Sequence, residues 1–170
     1  QQIVARLSEN PTDPVTVRIN SPGGDVSAAL AIYNALTAHR APVTIRVEGI
    51  AASAASLICC AGHCTAAENA LFMLHGPATG VHGQSGELRE TADALDKFAQ
   101  SMIGIYCRKT HRSVREITSL LDDNKDHWYN ALEARSLGLV DSIEGHADPV
   151  RIAACLKNLT PPEELKMTVE

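Results

Sequence analysis

The alternation of strand-like and helix-like sequence over the first 75 residues constrains this chain more than any other feature. Val15 to Ile19 alternates β-branched residues and predicts a strand, which Asn20-Ser21-Pro22-Gly23-Gly24 breaks. Asp25 or Ser27 then starts a helix carrying Ala28, Leu30, Ala31, Ile32, Ala35 and Leu36. A second strand is predicted over Val43 to Val47, broken by Gly49, with a helix from about Ser53 to Cys60 behind it. A third strand, Ala70 to Leu74, stops at Gly76-Pro77. Strand, loop and helix repeated in this order predict an α/β fold with parallel strands joined by right-handed crossovers. Ahead of it, Ile3, Val4 and Leu7 share a helical face that Asn10-Pro11 and Asp13-Pro14 end.

Beyond Pro77 the rhythm changes. Gly80, Gly83 and Gly86 punctuate a short stretch, and a long helix is predicted from about Glu87 to Thr110. Leu88, Ala92, Leu95, Ala99, Met102 and Tyr106 follow one another at steps of four and three, a heptad-like seam. A helix of that length reaches about 36 Å, more than a small domain needs. We expect self-association through it; the alternative is one face packed on its own domain. Ser113 caps a short helix through Leu121, and Asp122 to Asp126 forms a charged turn. Leu132 to Leu137 is helical and ended by Gly138, and Leu139 to Ile143 is a last short strand. Asp148-Pro149 starts a terminal helix, and Thr160-Pro161-Pro162 opens a polar tail.

Composition removes several classes of function. The 170 residues hold one domain's core, hiding about 70 % of the unfolded surface. Six aromatics against 24 alanines disfavour a site built from stacking platforms. A net charge of −5 lacks the footprint of a nucleic-acid binder, so no nucleic-acid partner is expected. Gly49 to Gly62 is too short and too rich in Ala and Ser to span a bilayer, and no membrane partner is expected. No signal-peptide pattern opens the chain. It begins at Gln1 instead of Met, so a true start is expected to precede it. Five cysteines without regular spacing suit a reducing, cytoplasmic setting better than a disulfide framework.

Two strand-to-helix junctions are rich in small residues. The glycines of Asn20-Ser-Pro-Gly-Gly24 allow backbone N–H groups to point into a cleft, although a Gly-Gly pair alone reads better as a tight turn. A phosphate loop is disfavoured because no Gly-Lys-Ser/Thr follows. The second junction is Gly49-Ile-Ala-Ala-Ser-Ala-Ala-Ser56. A serine at a helix N-terminus, walled by alanines, is open to a substrate backbone, and the first-turn amides suit a developing oxyanion. A plain helix cap is the competing reading, and spacing does not choose between Ser53 and Ser56. His75 would emerge at the C-terminal end of a buried strand, where sites gather in open α/β sheets. His39, His63, His82, His111, His127 and His146 read as surface residues. An acid is then needed to hold the imidazole, and Asp122, Asp123, Asp126 and Asp141 all qualify. Cys59-Cys60-x-x-His63-Cys64 lacks the usual zinc spacing, so buried reduced thiols are expected there and no metal.

Ile19-Asn-Ser-Pro-Gly-Gly24, Gly49-Ile-Ala-Ala-Ser53, Phe72-Met-Leu-His75-Gly-Pro77 and Gly138-Leu-Val-Asp141 together resemble the ClpP family of serine peptidases. The match runs in order from about Ile3 to Ile143. Asp25-Val26, Ala54-Ala55-Ser56 and the stretch from Thr79-Gly-Val81 to Glu87-Leu-Arg89 resemble the phage head-maturation branch. The stretch between the Ser53 helix and the His75 strand is a few residues shorter than is usual for the family.

The resemblance implies an α/β fold with a repeated β-β-α superhelical core of the ClpP/crotonase type and a protruding handle, a strand plus a long helix. Residues 1–145 would form the peptidase domain, with the handle at about 78–110; the resemblance does not extend to 146–170, which the residues alone mark as a C-terminal helix and polar tail. Ser53 would be the nucleophile, His75 the general base and Asp126 the acid. The backbone N–H groups of Gly24 and Ala54 would form the oxyanion hole. Gly80, Val81, His82 and Gly83 would pair with the substrate backbone, which implies weak sequence preference. No cofactor is required. The expected partners are a polypeptide substrate and further copies of the chain in a heptameric ring or stacked double ring. A Clp-type ATPase, or phage capsid and portal proteins, would complete the set. The competing expectations are a catalytically silent assembly or scaffold protein and a crotonase-fold enzyme acting on an acyl-CoA.

Overall fold

The computed structural model describes residues 12–145 and, before them, Ala5, Leu7 and Glu9, which are helical. The terminal helix expected from Asp148 and the polar tail lie outside the described residues, as do Ile3 and Val4 of the first predicted helix.

A sheet of six strands organises the fold. Its strands are β1 (Val15–Ser21), β2 (Val43–Ala52), β3 (His63–Ala67), β4 (Leu71–Leu74), β5 (His127–Asn130) and β6 (Ser142–Glu144). The helices are α1 (Val26–Thr37), α2 (Ala54–Ile58), α3 (Ser85–Thr110), α4 (Val114–Leu121) and α5 (Ala131–Leu137). The long strand β2 is the hub. It pairs in parallel with β1 along its length, with β3 through Thr44–Val47, and with β4 through Ile50–Ala52. β6 joins β3 in parallel, and β5 closes against β4 in antiparallel register.

Local chemistry explains these elements. In β1, half-buried Val15 and Val17 and buried Ile19 alternate with exposed Thr16 and Arg18. Arg18 faces Glu48 at 2.6 Å. α1 begins at Asp25 and not at Ser27, because the Asp25 carboxylate accepts the Ala28 N–H at 2.6 Å. Ala29, Tyr33 and Leu36, four and three residues apart, are its buried face. Ser113–Glu116 and Asn130–Glu133 form capping boxes at α4 and α5. Gly138 ends α5 at φ +92°, a conformation that side chains disfavour.

Four expectations need correction. Gly49 does not break the second strand, which continues to Ala52. The irregularity is a bulge within β2 itself: Ile19 pairs with Val47 and Ser21 with Ala51, so Glu48, Gly49 and Ile50 stand opposite Asn20, whose Oδ1 accepts the Ile50 N–H at 3.2 Å. The expected helix from Ser53 to Cys60 is a shorter one, Ala54–Ile58, continued by a 3₁₀ turn over Cys59–Ala61. β3 and β5 were not foreseen. β3 (His-Cys-Thr-Ala-Ala) lacks alternation because it lies between β2 and β6 with a buried centre. Finally, the handle strand expected at Gly80 to Gly83 is not formed, and residues 75–84 carry no regular secondary structure. A lone strand leaves its N–H and C=O groups unpaired, so it needs a partner to form.

The handle helix is present as α3, 26 residues and about 39 Å long. The predicted seam splits along it. Met102 and Tyr106, with Ile105 and Thr110, are buried in the core, whereas Leu88 and Ala92 are exposed and Leu95 and Ala99 half-buried. One end of the helix therefore belongs to the fold and the other stands away from it. Among the described residues, no helix is long and apolar enough to cross a membrane.

Candidate active site

Strand register brings the site together. Ala52, the last residue of β2, is opposite Met73 of β4. Ser53 follows directly, and its N–H donates to the Met73 carbonyl at 2.8 Å. His75 follows the end of β4, one residue beyond the level of Ser53. Its Nε2 lies 2.7 Å from Ser53 Oγ. β5 runs antiparallel to β4 with His127 opposite Leu74, so the next position outward sets Asp126 against His75. Asp126 Oδ1 is 3.3 Å from His75 Nδ1. The imidazole is partly shielded, with 28 % of its surface exposed, while the Asp126 carboxylate is open to solvent.

Ser53 has φ 53° and ψ −129°, a region that non-glycine residues rarely enter and that costs on the order of 1–3 kcal/mol. Short bonds on either side hold it there. Its N–H is tied to Met73, and its carbonyl accepts both the Ser56 N–H at 3.0 Å and the Ser56 hydroxyl at 2.6 Å. The glycine loop packs against it. A methyl group on Gly23 would lie 2.6 Å from Ser53 Cβ, 2.7 Å from the Ala52 carbonyl oxygen and 3.1 Å from Ala54 N. Gly23, at φ +107°, therefore sets bare backbone against the serine, and Gly24, at φ +142°, follows it and lines a surface pocket together with Ala54. Ala54 is the first residue of α2, where an N–H has no acceptor within the helix.

The other candidates take different places. Ser56 is fully buried and faces Tyr106, not a histidine. Asp141 Oδ2 meets Lys109 at 2.5 Å and the Cys64 N–H at 2.6 Å. Asp123 Oδ1 is 3.0 Å from His127 Nε2, a histidine that the sequence placed on the surface and the fold half-buries. Asp122 lines the cleft beside His75 but does not meet the ring in the way Asp126 does. Gly80, Val81, His82 and Gly83 are exposed in the irregular segment between Pro77 and α3. Cys59 and Cys64 are buried, and Cys60 is half-buried. A contact with Cys64, together with burial, raises the Cys59 thiol well above its ordinary range. Among the described residues, no three or more His, Cys, Asp or Glu side chains are grouped to hold a metal.

A cleft of about 340 Å³ opens beside His75, lined among others by Ala92, Leu95 and Ala99 of α3 and by Leu121 and Asp126. Sequence reasoning missed the contribution of α3 here, and also Tyr106, which carried only a heptad position as a signal. It also missed the packing of Gly23 on Ser53; the Gly-Gly pair was its one visible sign.

The Clp protease family model matches residues 1–147. The chain belongs to the Clp protease family, a family of peptidases.

Proposed function

We propose that this protein is a serine endopeptidase in which Ser53, His75 and Asp126 act as a triad. The single observation that carries this reading is the contact of Ser53 Oγ with His75 Nε2 at 2.7 Å, backed by Asp126 at 3.3 Å from the other ring nitrogen. Ser53 Oγ attacks the scissile carbonyl carbon as its proton passes to His75 Nε2. Asp126 holds the Nδ1–H tautomer and stabilises the imidazolium. The N–H groups of Gly24 and Ala54 receive the oxyanion. His75 returns the proton to the leaving amine, and water hydrolyses the acyl-enzyme by the same route.

The substrate is an extended or unfolded polypeptide. Residues 80–83, exposed and without a sheet partner among the described residues, supply an edge that such a chain completes by backbone pairing. The working form is a homo-oligomeric chamber, a heptameric ring or stacked double ring. The exposed half of α3, which reaches away from its own core, supports this. Substrate reaches the chamber either through a Clp-type ATPase or, in a phage head, as capsid and portal precursor.

The test is hydrolysis of an unfolded polypeptide by the parent and by Ser53→Ala. The reading expects the parent to cleave and the variant to lose the activity. Equal rates would overturn it.

A further inference from the structure

One buried hydroxyl pair contacts the site without belonging to the triad. Ser56 and Tyr106 are both 0 % exposed, and their oxygens lie 2.7 Å apart. Ser56 has a single hydroxyl hydrogen, and it is donated to the Ser53 carbonyl at 2.6 Å. Tyr106 must therefore be the donor to Ser56 Oγ. Burial keeps the Tyr106 phenol protonated by raising its pKa far above the ordinary range, so this donor is constant. The result is a relay in one direction: Tyr106 O–H to Ser56 Oγ, and Ser56 O–H to Ser53 C=O. The pair alone would leave one hydroxyl hydrogen without an acceptor, and the Ser53 carbonyl takes it. Here the relay ends on a particular carbonyl.

That carbonyl shares a peptide plane with the Ala54 N–H. A peptide is planar and trans, so fixing the direction of C=O fixes the opposite direction of N–H. The ψ of Ser53, −129°, sets the orientation of this plane, and Ser53 occupies a backbone region that does not hold itself. Each donation toward the carbonyl oxygen also polarises the amide and strengthens its N–H as a donor.

We infer that Ser56 and Tyr106 are positioning residues that aim and polarise the Ala54 N–H toward the oxyanion. The inference rests on the serine-peptidase reading above. Tyr106 comes from α3, so the buried end of the handle helix reaches the catalytic backbone through Tyr106 and Ser56 in turn. This relay acts in the transition state, where negative charge develops on the carbonyl oxygen, and little in substrate binding.

The experiment compares the parent, Ser53→Ala, Ser56→Ala, Tyr106→Phe and the Ser56→Ala/Tyr106→Phe double variant. It reads kcat, KM, inhibition by a peptidyl boronate and thermal melting. Ser56→Ala is expected to lower kcat about tenfold or more, below the roughly 10²–10³-fold of deleting an oxyanion donor outright. KM stays within about twofold, and boronate affinity falls in step with kcat. Tyr106→Phe lowers kcat by about threefold, and the double variant is no worse than Ser56→Ala, because the relay acts as a unit. If Ser56→Ala melts below the assay temperature, Tyr106→Phe decides, since it removes one oxygen and keeps the ring in place. A folded variant with parental kcat, a loss carried by KM, or an unchanged boronate affinity overturns the relay. If Ser53→Ala is as active as the parent, the serine-peptidase reading fails and takes the relay with it. If Ser53→Ala is inactive and Tyr106→Phe is not impaired, the relay alone fails.

Discussion

Lys109 Nζ lies 2.5 Å from Asp141 Oδ2, and the same oxygen accepts the Cys64 N–H at 2.6 Å, tying the end of α3 to the approach to β6. Lys109 also donates to the Gly62 carbonyl at 3.1 Å and is only 10 % exposed. Burial raises the Asp141 carboxyl, but the Lys109 hydrogen bond and the Cys64 amide outweigh it and hold the pKa below the ordinary value. A carboxylate depressed in the folded state contributes stability above its unfolded pKa of about 3.9 and loses it as pH falls through the folded value. Asp141→Asn should therefore cost about 1–2 kcal/mol at pH 7. This is less than a fully buried pair would cost, because Asp141 is about a third exposed. Urea denaturation at about pH 7 and about pH 3 checks this, with the difference between parent and variant shrinking at the lower pH.

Gly23→Ala should damage activity more than stability. The added methyl meets Ser53 Cβ at 2.6 Å and the Ala52 carbonyl at 2.7 Å, and a φ of +107° adds strain. Moving the nucleophile by on the order of 1 Å costs roughly 100-fold. The measurement is kcat/KM on a peptide substrate beside a melting curve, with a folded variant at least tenfold impaired expected.

The four carboxylates that the sequence left unranked separate by function. Asp126→Asn removes the partner of His75 Nδ1 and should lower kcat by about 10²–10⁴-fold at neutral pH. Asp123→Asn changes a contact with His127 and should leave kcat within about threefold. Steady-state kinetics on the two variants discriminate. Equal losses would remove Asp126 from its proposed role.

Self-association is testable at the exposed end of α3. Leu88 is 42 % exposed there, at one end of the predicted seam. Leu88→Glu places a charge on that face, which disfavours burial in a contact between copies. Sedimentation velocity should show a ring-sized species for the parent and a smaller species for the variant. A parent that stays monomeric at high concentration would contradict the chamber.

Much of this was legible in the sequence, and the losses have physical reasons. β1, α1, β4 and the long helix carry strong periodicity, caps or breakers, so their existence and approximate limits could be read. β3 carries neither alternation nor β-branched runs. β5 is four residues long, with Trp128 and Tyr129 at its centre. Missing β5 mattered most for the site. Without its antiparallel register on β4, residue types alone cannot rank Asp126 over Asp122, Asp123 or Asp141. Only the family resemblance singled Asp126 out. Ser53 and Ser56 were equivalent by spacing for a similar reason: the positive φ of Ser53 and the burial of Ser56 against Tyr106 arise from tertiary packing.

The most direct test of the central claim is covalent capture of the serine. The protein is treated with a fluorophosphonate, its intact mass is measured and the adduct is mapped, for the parent and for His75→Ala. The account predicts one adduct per chain, on Ser53, and a labelling rate at least 100-fold lower without the imidazole. A parent that stays unlabelled, or an adduct that forms on Ser53 at the same rate without His75, would contradict it.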